Sequence, residues 1–335
     1  MSRVLVDGCA GFLGSHLTDY LLSQGHEVTG VDDMSTGSRD NLRDAMVPTR
    51  DHGGRFDFCA MPIVKALPRM QYAKFDVIFH LAAHVGARIV REDPYGLLLD
   101  HVEDAKAVVE YATKYDSILV AASTSEVYGA QPILPYKETD FCHVGPPTVP
   151  RWSYAISKLW MEQLCLAAHR QFGLRVVVPR MFNVSGPRQR ADTGMVLPTF
   201  AKSVLSNENM EIHGDGSQRR CFAHVTDVVR MLAELADCPL AYGKVVNIGA
   251  VQTRNVLSIA EDVNEYCARN YGKRGSVVSV PHSDVDATEA MPARAPDTSK
   301  LKRLTGMEVP SRWPDLVADV CDYWAGKLGV ERKAA

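Results

Sequence analysis

Tyr154 and Lys158 stand four residues apart in a stretch of helical periodicity, a spacing that puts both side chains on one helical face. A phenol titrates near a pKa of about 10 and is a poor base at neutral pH. A neighbouring ammonium and a second positive charge favour the phenolate and bring it toward working range. Such a pair is common by chance, but here it is joined by Ser123-Thr124-Ser125-Glu126-Val127-Tyr128-Gly129, which follows an apolar strand. Open α/β sheets place their chemistry at the carboxyl ends of strands. A hydroxyl there can hydrogen-bond the substrate oxygen whose proton Tyr154 takes. The implied first step is oxidation of an alcohol, which needs a redox cofactor.

Gly8-x-x-Gly11-x-x-Gly14 offers that cofactor a place, where a strand at Val4–Val6 turns into a helix at Leu13–Gln24. Glycines let the backbone approach a pyrophosphate, whose charge is then held by the amides and dipole of the helix N-terminus. Asp32 closes the second strand, Glu27–Val31, where a carboxylate meets the hydroxyls of an adenosine ribose and repels a 2′-phosphate. NAD is therefore expected over NADP, with Asp33 assisting or serving as a solvated turn residue. Asp7 is unusual, since a position beside the pyrophosphate is commonly uncharged.

Further strands are expected at Val77–Leu81, Ser117–Ala122, Arg175–Pro179 and Val245–Ile248, and helices at Leu97–Lys114, Tyr154–Phe172, Val196–Leu205 and Thr226–Ala236. Alternation of this kind implies a doubly wound parallel sheet of the α/β class. Residues 34–75 yield no element, and from Ser258 onward the chain reads as a small, mostly helical lobe. Residues 1–182 and 220–250 are expected to form the nucleotide-binding domain, and 183–219 and 251–328 the substrate-binding lobe.

A net charge of −3 gives no electrostatic reason for a nucleic-acid or anionic-membrane partner. The eight cysteines are scattered without a C-x-x-C pair, so a disulfide framework or a zinc site is not expected, and reduced thiols in a cytoplasmic protein are. The N-terminus has no basic leader before its first strand, and no apolar run reaches membrane-spanning length, so neither a signal peptide nor a span is expected. His80 and His84 lie at a strand end rather than on a helix. Neither is read as a metal ligand, and His80 reads as a satisfied core histidine.

Taken together, the glycine loop, His80-Leu81-Ala82-Ala83, the Ser-Thr-Ser-Glu-Val-Tyr-Gly segment and Tyr154/Lys158 resemble the extended short-chain dehydrogenase/reductase family of nucleotide-sugar epimerases, dehydratases and decarboxylases. Arg180-x-Phe182-Asn183-x-x-Gly186-Pro187-Arg188, Gly214-Asp215-Gly216-Ser217-Gln218-Arg219-Arg220 and Arg294-Ala295-Pro296-Asp297 extend the resemblance over residues 3–325. It implies a Rossmann fold and a cofactor site at Gly8, Gly11, Phe12, Leu13, Gly14, Asp32, Asp33, Leu81, Ala82, Ala83, Tyr154 and Lys158. It also implies a homodimer built on the helices 97–114 and 154–172. Within the family the chain looks most like UDP-glucuronate decarboxylases, through the Ser-Glu pair, Pro150-Arg151-Trp152-x-Tyr154 and Arg220-Cys221-Phe222. By that resemblance Thr124 and Ser125 hold the C4 hydroxyl, Tyr154 is the base and Lys158 tunes it. Asn183 and Arg220 then contact the nucleotide-sugar near its diphosphate, and a UDP-sugar is the expected substrate.

Glu126 bears on which reaction follows. A 4-epimerase has no need of a carboxylate there, whereas a dehydratase uses one to take the C5 proton, commonly after an Asp where this chain has Ser125. In decarboxylases a matching Glu and an Arg like Arg294 manage loss of the carboxylate and protonation at C5. Against this, Ala82-Ala83-His84-Val85-Gly86-Ala87-Arg88 looks more like the same stretch of uronate 4-epimerases. Arg88 suits a sugar carboxylate in either reading. Decarboxylation of UDP-glucuronate is the leading expectation, with a 4-epimerase and then a 4,6-dehydratase as alternatives. His101 and Asp104 stand where Asn and Gly are frequent in the family.

Overall fold

The computed structural model describes residues 1–47, 54–85, 90, 92–281 and 293–333. Its centre is a parallel sheet built from β1 (Arg3–Asp7), β2 (Glu27–Asp32), β3 (Arg55–Ala60), β4 (Val77–His80), β5 (Ile118–Ala121), β6 (Ser123–Thr124), β7 (Val176–Met181) and β12 (Lys244–Ile248). The strands run in the order β12-β7-β5-β4-β1-β2-β3, and β6 continues beside β7 beyond the end of β5. The near-continuous apolar runs of β1, β4 and β7 suit strands covered on both faces.

One face of the sheet is covered by α1 (Phe12–Ser23) and α5 (Val225–Ala236), whose Leu17, Leu21, Val228 and Leu232 pack into a core with Val6 and Val177. On the other face lie α2 (Pro94–Tyr115) and α3 (Trp152–Phe172), which bury Ala105, Val108, Met161 and Cys165 against Leu5, Ile78 and Leu119. Pro94 at the first helical position and the Asp93 carboxylate, accepting from Gly96 N at 2.9 Å, start α2. Gly173, in the left-handed conformation, ends α3.

A third core joins α4 (Val196–Leu205), α6 (Val256–Tyr271) and α7 (Trp313–Leu328). This part of the chain is less helical than expected. It also carries the three-stranded sheet β13-β10-β15 (Thr253–Asn255, Arg219–Cys221, Ala293–Arg294) and the two-stranded sheets β14-β9 (Val277–Val280, Met210–His213) and β11-β8 (Ala223–His224, Val184–Ser185). Strands of two to four residues are too short to show a period. The other departure is β3, inside the stretch that yields no element from sequence. Arg55 and Asp57 alternate with half-buried Phe56 and Phe58 at the sheet edge, so the strand lacks the apolar run of its neighbours.

The order places the topological switch point between β1 and β4, where the turn after β1 and the segment after β4 leave in opposite directions. These two segments touch. Gly8 has φ +82°, and a Cβ on it would lie 2.7 Å from Ala82 N, while a Cβ on Gly14 would lie 2.0 Å from Gly8 O. Both obstacles are backbone and cannot swing aside. Gly14→Ala is therefore expected to weaken NAD binding by tenfold or more, about 1.4 kcal/mol, as read by calorimetric titration. Wild-type affinity in that variant contradicts this packing.

Candidate active site

Electrostatics at the cofactor end begins with Asp32. Its two carboxylate oxygens accept from Ala10 N at 2.9 Å and Met34 N at 2.8 Å, so the carboxylate shapes the glycine turn and the loop after β2 together. Burial pushes its carboxyl above the usual range, and the two backbone donors offset part of that. Asp33 is exposed and accepts from Ser35 N at 2.8 Å. Asp7, unexplained by sequence alone, is buried with its Oδ2 2.6 Å from His80 Nδ1. His80 is thus satisfied by a carboxylate, and the charge beside the glycine turn has a partner.

Lys158 lies deep in the same region. Burial lowers its pKa to about 8, while Asp7 and Asp104 act to raise it. Asp104 is pushed up to about 8, by burial first and then by Asp7, Asp100 and Asp33. The glycine cradle, the free helix N-terminus at Phe12, Asp32 and Lys158 together fit a dinucleotide. Phe12, Leu13 and Leu81 pack partly buried against the first core beside this cradle.

Across the nicotinamide end, β6 and the 3-10 turn Ser125–Tyr128 present the hydroxyls. Thr124 caps that turn, its Oγ1 accepting from Glu126 N at 3.2 Å, and its hydroxyl hydrogen-bonds the Tyr154 phenol. Ser125 is buried beside it. The Tyr154 phenol is pushed up by burial and further by the negative charge of Glu126, with the Thr124 bond acting against both. In this state Tyr154 is a neutral phenol.

The substrate end is dominated by guanidinium groups. Parallel pairing of β10 with β15 sets Arg220 level with Arg294, and Arg294 Nη1 donates to Glu126 Oε1 at 3.2 Å. Burial alone would raise the Glu126 carboxyl, but Arg294, Arg151 and Arg220 outweigh it and hold Glu126 below the usual range. Arg220 is lowered to about 10, by burial first and then by Arg294 and Arg151. Three cations against one carboxylate leave an anion-seeking surface. Among the described residues Arg294 Nε is buried without a hydrogen-bond partner, so the guanidinium retains donor capacity toward them.

Glu162, passed over in the sequence reading, and Arg180, noted there only as part of a motif, hold these parts in register. Glu162, one turn beyond Lys158 on α3, receives Arg180 Nε at 2.9 Å and Nη2 at 2.7 Å, and accepts from Ser123 Oγ at 2.5 Å. The Arg180 guanidinium also lies over the Tyr128 ring at 4.7 Å. Carboxylate at i+8 from Tyr154 was the available signal, but its partner is on another element. Arg151 was noted only as part of a motif, and the structure brings its charge to Glu126.

Arg88 lies outside the described residues. Asn183 is half-buried, its carbonyl accepting from Ala223 N at 2.9 Å. Arg188 is bound to Asp19 at 2.7 Å and to Asp44 at 3.5 Å, and Arg190 to Asp192, so both serve local ion pairs. All eight cysteines are free thiols. Among the described residues no group of His, Cys, Asp and Glu is arranged to hold a metal, and no helix is long and apolar enough to cross a membrane.

A switch-point glycine turn with a buried carboxylate at the end of β2, facing a Tyr/Lys pair and a hydroxyl-bearing strand end, is an arrangement suited to dinucleotide-dependent oxidation. The model of the NAD dependent epimerase/dehydratase family matches residues 4–249, and the chain belongs to that family. It is 31% identical over 315 residues to the UDP-N-acetyl-alpha-D-glucosaminuronate decarboxylase of Bacillus cytotoxicus, covering 93% of this chain and 94% of that one. It is 32% identical over 306 residues to UDP-glucuronic acid decarboxylase 1 of Danio rerio, covering 91% and 68%. Among solved structures, an epimerase from Methanothermobacter thermautotrophicus superposes with a TM-score of 0.87 at 26% identity, covering 98% and 93%. The protein is thus an enzyme of an NAD-dependent family.

Breaking a buried ion pair by removing one partner costs about 3–5 kcal/mol. Glu162→Gln, which leaves Arg180 charged, is accordingly expected to lower Tm by roughly 5–10 °C. Adding Arg180→Met to that variant should restore most of the loss. Calorimetry showing the double variant no more stable than the single one contradicts this account.

Proposed function

We propose that the protein decarboxylates a nucleotide-diphosphate uronate, UDP-glucuronate foremost, after transient oxidation at C4 of the sugar. The observation that carries this reading is Glu126 held at 3.2 Å by buried Arg294, in the turn that also presents Thr124 and Ser125. A 4-epimerase needs no charged pair at that place. The names of the two relatives described above, both uronate decarboxylases, support the same choice.

NAD, when bound, would supply the acceptor and the source of return for the C4 hydride, and the positive charge of its oxidised ring would favour the Tyr154 phenolate. Thr124 and Ser125 hydrogen-bond the C4 oxygen, and Tyr154 takes its proton. Lys158 binds the cofactor ribose and supports the phenolate. The resulting C4 ketone stands β to the C6 carboxylate. The C5–C6 bond then breaks, CO₂ departs, and the electron pair passes into the C4–C5 enolate. A solvent proton delivered on the Glu126–Arg294 side closes C5, and return of the hydride to C4 with the proton held on Tyr154 restores the alcohol. Arg220, Arg151 and Asn183 hold the anionic diphosphate and carboxylate groups of the substrate. Gly8, Gly11 and Gly14 cradle the cofactor pyrophosphate, and Asp32 holds its adenosine ribose with Asp33 nearby.

Tyr95 and Leu99 on α2, and Ile156 and Trp160 on α3, repeat at helical spacing and remain exposed, which supports a homodimer formed through those helices.

With UDP-glucuronate as substrate, Tyr154→Phe is expected to lose about 10²–10⁴-fold in turnover while still binding NAD. Arg294→Met is expected to retain the absorbance of reduced nicotinamide on mixing but to release CO₂ far more slowly. Wild-type turnover in Tyr154→Phe contradicts the base, and wild-type CO₂ release in Arg294→Met contradicts the role of the charged pair.

A further inference from the structure

His101 projects from α2 into the space between the segment after β4 and the catalytic helix α3, and it is buried. Its Nε2 lies 3.0 Å from the backbone N–H of His84, which can only donate, so Nε2 is an acceptor. Its Nδ1 lies 2.8 Å from Ser157 Oγ, and Ser157 Oγ lies 2.9 Å from the Tyr154 carbonyl, to which the hydroxyl donates. A neutral ring then carries its proton on Nδ1 and gives it to Ser157 Oγ. Both nitrogens are committed, and the tautomer follows from backbone groups that cannot reverse.

The ring also stands edge-on to Tyr154, with centroids 5.8 Å apart at 70°, and parallel to His84 at 6.2 Å. His84 is itself anchored to Asp100 on α2 at 3.2 Å. One imidazole therefore joins three elements: the segment leaving the switch point, α2, and the turn of α3 that carries Tyr154. The titratable groups that meet it are Lys158 and Tyr154 on α3, His80 and His84 on the β4 side, and Asp100 and Asp104 on α2. Burial first, then Lys158, His84 and His80, push the imidazole down to about 2, so the ring is neutral wherever the enzyme works.

We propose that His101 is a positioning residue for Tyr154, a permanently neutral brace between the segment after β4 and the catalytic helix that takes no part in carrying the proton. This rests on Tyr154 being the base of the C4 oxidation. A group that moves protons needs an open site to receive one, and neither nitrogen of His101 has it. What the ring supplies is a donor and an acceptor at fixed separation, and a flat surface against the phenol.

Long-range nitrogen-15 correlation spectra of the full-length protein are expected to show His101 as the Nδ1–H tautomer, unchanged between about pH 6 and 9. An Nε2–H ring, or a titration inside that range, overturns the proposal without any variant having to fold. In kinetics with the nucleotide-sugar that the wild type converts, His101→Ala is expected to lower kcat by about 10²-fold, with substrate KM and NAD affinity held. His101→Asn, whose amide also offers one donor and one acceptor, is expected to recover most of kcat with an unaltered pH profile. An unchanged kcat in His101→Ala overturns the brace, as does a His101→Asn as impaired as His101→Ala with a displaced pH limb. Tyr154→Phe measured alongside separates the two claims: if it turns over normally the base assignment fails, and if it alone is inactive the His101 inference fails.

Discussion

A carboxylate and a guanidinium taken out of water fix the geometry on which the site depends. Glu162 on α3 and Arg180 on β7 are both buried and meet through two nitrogen–oxygen contacts, with Ser123 adding a third bond to the carboxylate. Desolvating two charges is returned only where the pairing geometry is good and the remaining lone pairs are met. Sliding α3 by one residue along the sheet would leave both charges unpaired. The pair therefore selects one register, and α3 carries Lys158 one turn and Tyr154 two turns from Glu162. Because Ser123 opens the hydroxyl-bearing segment, the same contact sets Thr124 against Tyr154.

Charge is distributed oppositely at the two ends of the cleft. Around the cofactor end stand Asp7, Asp32, Asp33 and Asp104, and of these Asp7 and Asp104 favour the ammonium form of Lys158 against its burial. His80 Nδ1 lies 2.6 Å from Asp7 Oδ2, so the carboxylate next to the glycine turn has a buried hydrogen-bond partner. At the other end Arg151, Arg220 and Arg294 surround Glu126 and keep it ionised. A substrate with a diphosphate at one point and a carboxylate at another suits the second end, while a cationic nicotinamide suits the boundary between them. Within a low-dielectric cleft such fields act strongly and need no rearrangement during the reaction.

The features legible in sequence are those with local periodicity or fixed spacing. The glycine turn, Asp32 at the end of β2, Tyr154/Lys158 on one helical face and the alternation of strands and helices all belong to that class, and the structure places them together. What escaped depends on partners far apart in the chain. Asp7 meets His80 across 73 residues, and Arg180 meets Glu162 across 18. Burial of the unpaired member would be prohibitive, yet nothing within ten residues of either reveals the other. The edge strand β3 and the short strands β10, β13 and β15 were missed for a different reason. Their pattern is set by one exposed face or by two or three residues, too little for a period to emerge.

The central claim is that the site oxidises C4 of a uronate and then releases its carboxylate. The most direct measurement is mass spectrometry of the UDP-glucuronate reaction run with NAD in deuterium oxide. A UDP-sugar that has lost CO₂ and gained one deuterium at C5, with no net reduction of NAD, is the predicted product. A product of unchanged mass at a shifted chromatographic position, meaning inversion at C4 with the carboxylate intact, contradicts the account and removes Glu126 and Arg294 from the chemistry.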